Sequence, residues 1–172
     1  MNRKKKDLRQ MKIYTLILLI FSSLAVNSQD KKKTIWETIK GKELETSITF
    51  LPFGSHTKDF DFLDVWYTSY NYKSIELALF KNSYDDLTVA IIYKRQIEII
   101  KKLNFIYGLG IMHGYEGKLQ ETSGIPFRNS FLFKGNINAT GGVILDYRIA
   151  KKISVQLNVS PVVLVYGVRV IL

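Results

Sequence analysis

"ISVQLNVS", residues 153–160, alternates without a break. Ile153, Val155, Leu157 and Val159 fall on one face of an extended chain, and Ser154, Gln156, Asn158 and Ser160 fall on the other. Just beyond it, "VVLVYGVRVIL" (162–172) repeats the pattern. Leu164, Tyr166, Val168, Val170 and Leu172 form an apolar row, with Gly167 and Arg169 on the opposite one. Two neighbouring strands with a purely apolar face each predict an antiparallel sheet that presents that face to lipid or to a core.

Working outward from this pair, the same pattern recurs and predicts an all-β chain of about eight strands: 44–56, 60–72, 74–82, 87–96, 103–115, 137–149, 152–159 and 162–172. Eight is the smallest common size for an outer-membrane barrel, so the expected fold is an eight-stranded antiparallel transmembrane β-barrel. A lipocalin-like soluble barrel has the same alternation with its apolar face turned inward, and the sequence does not show the orientation.

The N-terminus supports export. A basic stretch, "NRKKKDLRQMK", precedes the apolar run "IYTLILLIFSSLAV" and a plausible cut before Gln29, which predicts a signal peptide over 1–28. The run is short for a membrane span, an uncleaved anchor being the alternative. "TIWETIKGK" (34–42) predicts a short amphipathic helix within a periplasmic segment, 29–43, ahead of the barrel at 44–172.

The chain of 172 residues has no cysteine, which rules out disulfides and thiolate metal sites. Its net charge of +10 is concentrated partly in the leader, and the rest lies near turns, as at "KK" 101–102 and "KK" 151–152. That scatter suits a solvated or membrane-surface role and no nucleic acid.

With the N-terminus in the periplasm, His56, the tip Asn82–Asp86 and the long connection 116–136 reach the outer rim. Trp66, Tyr67, Tyr70, Tyr72, Tyr93 and Tyr107 are candidates for interfacial girdles. Several inward rows read as small and apolar: Ile106, Gly108, Gly110 and Met112 on the fifth strand, Thr140 and Gly142 on the sixth, Val163, Val165 and Gly167 on the last. Glycines there either leave an apolar slot fit for an acyl chain, lined by Gly108, Gly110, Gly142 and Gly167, or relieve strand curvature. The two histidines, His56 and His113, stand far apart in the chain with no carboxylate at ligand spacing, so no metal is expected. Ser83, at a strand tip that shares the outer rim with His56, is the candidate hydroxyl for acyl chemistry.

Taken together, "TIWETIKGKELETSITFLPFGSH", "IELALFKNSY", "LNFIYGLGIMHG" and "GIPF" resemble, in order, segments of the lipid A palmitoyltransferase family (PagP). The resemblance implies a monomeric outer-membrane barrel of a Gram-negative bacterium, with an N-terminal helix and no cofactor. It implies transfer of a palmitoyl-like chain from a phospholipid donor to lipid A. His56 becomes the base, Ser83 the essential hydroxyl, and Asn82 stands where the family has a catalytic aspartate; Asp85 or Asp86 is an alternative carboxylate. A lipid A deacylase, a structural or adhesive barrel and a soluble lipid-binding barrel are the competing expectations.

Overall fold

The computed structural model describes residues 34–57, 62–122 and 124–172. The expected signal peptide, 1–28, lies outside the described residues, as does the start of the 29–43 segment. Helix α1 (Ile35–Lys40) is shorter than the expected 34–42. It opens with a capping box: the Glu37 amide donates to Thr34 Oγ1 (3.3 Å), and the Thr34 amide donates to Glu37 Oε2 (3.1 Å). Ile35, Trp36 and Ile39 are exposed.

Residues 40–172 form a closed, eight-stranded antiparallel β-barrel. Its strands are β1 (Ser47–His56), β2 (Phe62–Leu63) with β3 (Tyr67–Tyr72), β4 (Ile75–Lys81), β5 (Leu87–Ile100), β6 (Leu103–His113), β7 (Ile137–Ala150), β8 (Ile153–Val159) and β9 (Val163–Ile171). Each pairs with the next, and β9 closes on β1 from Ser47↔Ile171 to His56↔Val163. Turns of two residues (73–74, 101–102, 151–152) mark one end of the barrel, and longer connections mark the other. We call these the closed and open ends.

The second strand differs from its expected run over 60–72. β2 and β3 pair with the same edge of β1 but are separated by a break at 64–66. Val65 turns inward there and lies against Gly54, where a Cβ would stand 2.1 Å from Val65 Cγ2. The alternation of "DVWYTSY" does not reveal the break, because its cause is a glycine on the neighbouring strand.

Which face is which is now plain. Phe50, Tyr70, Leu77, Ile91, Leu109 and Val170 point outward and are exposed, whereas Glu76, Lys94, Asp146 and Arg169 point inward and are buried. The barrel is apolar outside and carries its buried charges inside, whereas a lipocalin turns its polar face to water. Tyr67, expected in a girdle, is instead buried: it shares the inward row of Ser69 and Asn71. Of the other five expected girdle residues, Tyr70, Tyr72 and Tyr93 are exposed on the outer face, and Trp66 and Tyr107 are half-buried.

The closed half of the lumen holds a charged plug, which the several inward rows read as small and apolar did not announce. Arg169 donates to Asp146 Oδ1 (3.2 Å), to Ser47 Oγ (2.8 Å) and to the Glu45 carbonyl (3.0 Å). Gln156 donates to the same Asp146 oxygen at 3.1 Å. Beyond the plug, the segment leading into β1 crosses the closed end: Lys42 and Gln96 exchange backbone bonds of 2.7 and 3.0 Å. Leu44 is buried there with Ile106 and Ile144. The barrel is stoppered at this end by chain and side chains alike.

β1 carries a bulge where its register on β9 shifts between Phe50 and Phe53, at Leu51-Pro52. Proline lacks the N–H that a regular ladder needs, so a bulge is its natural place. Gly167 faces it: a Cβ there would lie 2.4 Å from the Phe50 carbonyl oxygen and 2.7 Å from Leu51 Cα. Both are backbone atoms that cannot step aside. Gly167→Val is expected to cost about 1–3 kcal/mol, as overpacking does, read as a lower denaturant midpoint for the refolded barrel.

Candidate functional site

The open half of the lumen is a cavity of about 490 Å³, within the size range of small-molecule pockets. Val65, Phe80, Ile92, Met112 and Val165 line its wall, and Leu119, Ile125 and Phe133 of the β6–β7 connection roof it. Its floor is the near edge of the polar interior. Lys94 Nζ sits 2.5 Å from Glu76 Oε1, both groups buried. The Tyr67 hydroxyl donates to Glu76 Oε1, and that of Ser69 to Oε2 (3.0 Å). Tyr67 also stacks on Phe80, with centroids 5.7 Å apart, which ties the floor to the apolar wall.

Of the four glycines expected to line a slot, Gly108 and Gly142 are on the cavity wall, and Gly110 and Gly167 are not. A Cβ at Gly108 would meet Ile92 Cγ2 at 2.9 Å and Lys94 Cγ at 3.0 Å, so this glycine lets two β5 side chains lie flat against β6. At Gly110 the obstacle is β5 backbone, with the Ile91 carbonyl oxygen 2.1 Å away. That glycine serves strand approach.

The wall is interrupted between β7 and β8. β7 pairs with β6 from Ile137 onward, yet with β8 only from Val143. Residues 137–142 have no β8 partner, because β8 ends at Val159 and Ser160-Pro161 turns away. Proline offers no N–H to extend the ladder, and Ser160 Oγ is engaged with the Val163 amide at 3.0 Å. Ala139, Thr140 and Gly142 on one side and Val159, Ser160 and Pro161 on the other border the cavity at this seam.

Asn82 is 2 % exposed, and its side chain is fully engaged. Nδ2 donates to Thr88 Oγ1 and to the Gly114 carbonyl, both at 3.0 Å, and Oδ1 accepts from the amides of Tyr84 (2.8 Å) and Asp86 (3.1 Å). These bonds clamp a tight turn in which Asp85 takes φ +66°. Ser83, the next residue, is exposed and lines the cavity mouth. His56 ends β1 opposite Val163, a cavity residue, and its Nε2 is buried without a hydrogen-bond partner among the described residues. Among the described residues, no hydrogen bond joins His56, Ser83 and Asn82. Asp85 pairs with Lys81 at 3.0 Å and Asp86 with Lys118 at 2.6 Å, so both alternative carboxylates already hold lysines. His113 is exposed at the end of β6 and does not line the cavity. Among the described residues, no group of three metal-ligating side chains comes together.

The roof is tied to the Asn82 turn by contacts that spacing in the chain does not announce. The Tyr84 hydroxyl lies 2.6 Å from Thr122 Oγ1, and Lys118 Nζ stands 5.4 Å over the Tyr84 ring. Its bond to Asp86 raises the Lys118 pKa. Tyr115 meets Tyr84 edge-on at 6.2 Å; burial, with Tyr84 adding to it, pushes its hydroxyl up to about 12, so it stays protonated. Tyr84 and the Glu76–Lys94 floor were missed in the sequence. The only signal was an inward-row position for each charge, next to Ala78 and Ile92. Comparison with known proteins returns no matching family model, no matching curated protein and no matching solved structure.

Proposed function

We propose that this chain is an outer-membrane acyltransferase that moves an acyl chain from a glycerophospholipid to lipid A. The observation that carries the proposal is an apolar cavity at the open end of a barrel whose outer face is apolar, with Ser83 at its mouth. An acyl chain occupies the cavity with its methyl end toward Lys94 and its ester at the rim. The seam along residues 137–142 is where a lipid tail passes sideways from the bilayer. The resemblance of the mature chain to the lipid A palmitoyltransferase family supports the same assignment.

In the reaction, His56 Nε2 takes the proton of a lipid A hydroxyl as that oxygen attacks the donor's ester carbon. The Ser83 hydroxyl donates to the oxyanion that develops. The ester C–O bond of the donor then breaks, and the imidazolium returns its proton to the departing glycerol oxygen, leaving a lysophospholipid. Transfer therefore balances with no cofactor. His56 does not itself line the cavity and no hydrogen bond joins it to Ser83 among the described residues, so this reading requires the bound substrate to bridge the two.

A second reading, a lipid-binding barrel without catalysis, is favoured by one observation: the Asn82 amide is fully consumed in its turn and so does not orient His56. Lipid A mass spectrometry on cells making the chain separates the two. One added acyl chain is expected, and His56→Ala and Ser83→Ala should each reduce it by about 10²-fold or more. A lost acyl chain would indicate a deacylase. An unchanged spectrum from a folded, membrane-borne barrel would favour the non-catalytic reading.

A further inference from the structure

Each of the three two-residue turns at the closed end carries lysine: Lys73, Lys101-Lys102 and Lys151-Lys152. Two of these lysines occupy left-handed backbone, Lys73 at φ 54° and Lys102 at φ 78°. Glycine or asparagine fits such positions without strain, so a β-hairpin gains nothing for itself by using lysine there. All five are exposed, and among the described residues none is ion-paired. Of the other charges at this end, Lys42 pairs with Glu98 (3.7 Å) and Arg148 with Glu45, Arg95 donates to the Lys40 and Gly41 carbonyls, and Lys40 and Glu43 have no ion pair among the described residues. At the open end Lys81 and Lys118 are both held by aspartates, and Lys134 alone is an exposed lysine without an ion pair among the described residues there. Just above the lysines the barrel's outer face carries exposed tyrosines: Tyr72, Tyr93 and Tyr147. Lys73 lies over the Tyr72 ring at 5.5 Å.

We propose that these five lysines form a ring that binds the phosphates of anionic glycerophospholipids in the leaflet facing the closed end. A belt of tyrosine marks the depth at which a bilayer's interface lies, and lysine stems run along such a belt with the ammonium in the headgroup layer. Unpaired ammonium groups at that depth attract anionic headgroups. The ring selects the lipids around the barrel and fixes which way round the barrel sits. It is separate from the cavity, which opens at the other end. The inference rests on the membrane reading above.

The test uses the full mature chain reconstituted in phosphatidylcholine vesicles, with spin-labelled phosphatidylglycerol or phosphatidylcholine as the probe. Immobilised label should favour phosphatidylglycerol by about fivefold at low salt and lose that preference in about 1 M salt. The variant Lys73→Asn, Lys101→Gln, Lys102→Asn, Lys151→Gln, Lys152→Gln should bring the ratio close to one. Asparagine suits the left-handed positions, so the turns keep their shape. A variant with arginine at all five positions should keep the preference.

A wild-type barrel that inserts but shows no preference, or a neutral variant that keeps it, overturns the ring. Stronger selection of lipid A than of phosphatidylglycerol, lost with the same substitutions, overturns the assignment to phospholipid. Insertion is read separately, by resistance to added protease. A chain that does not insert into the vesicles overturns the membrane reading and the ring with it.

Discussion

Arg169→Met is expected to lower the unfolding free energy by about 3–5 kcal/mol, the typical cost of leaving a buried charge without its partner. Arg169 is 1 % exposed and Asp146 is fully buried. Deleting the guanidinium removes bonds to Asp146, Ser47 and the Glu45 carbonyl at once. The carboxylate would retain only the Gln156 amide, and its Oδ2 has no partner even in the intact barrel. Asp146→Asn in the same chain should recover much of the loss, because the stranded charge goes and the amide can still bond to Gln156. Denaturant unfolding of the refolded barrel, followed by tryptophan fluorescence, measures both. A loss below about 1 kcal/mol for the single variant would be expected only of a solvated pair, and would mean that water reaches the plug.

Gly108→Leu should shorten the acyl chain the protein accepts while leaving the barrel folded. Gly108 borders the cavity floor, and a new side chain there meets Ile92 Cγ2 and Lys94 Cγ, which must shift, and the Tyr93 carbonyl oxygen at 3.2 Å, so a modest loss of stability accompanies the change. The leucine, or the side chains it displaces, then takes cavity volume at the methyl end of the bound chain. One methylene more or less in a hydrophobic pocket changes discrimination by roughly 10–200-fold. Lipid A mass spectrometry should show shorter transferred chains, because the leucine side chain takes cavity volume from the methyl end. An unchanged chain length, with activity intact, would mean the chain does not reach Lys94. Gly110→Leu is the contrasting variant: it meets the Ile91 backbone, so it should damage folding and leave chain selection alone in whatever fraction folds.

The functional site divides along physical lines. The place of Ser83 at the cavity mouth was legible because a polar strand tip puts it at the open rim, the end where β1 also finishes in His56. Asn82 was read with it as a member of a catalytic set, yet in the fold its amide spans a turn and reaches Thr88 and Gly114, contacts fixed by how β4, β5 and β6 meet. Sequence adjacency brings Asn82 and Ser83 to one tip but leaves their side chains to point apart, one buried and one exposed.

The strands themselves were written locally. Period-2 alternation in 153–172 and its repeats comes from side chains pointing alternately to opposite faces, a property of the single strand, and it determined an eight-stranded all-β chain with one apolar face. Only the closed barrel decided which face is inside. Glu76 with Lys94 and Asp146 with Arg169 are partners on different strands, so neither pair shows as a motif. They become a plug when closure of β9 on β1 surrounds them. The break at 64–66, the seam at 137–142 and the boundary between charged plug and apolar cavity have the same origin. Each depends on what a neighbouring strand presents across the ladder, and alternation along one chain carries no record of its neighbour.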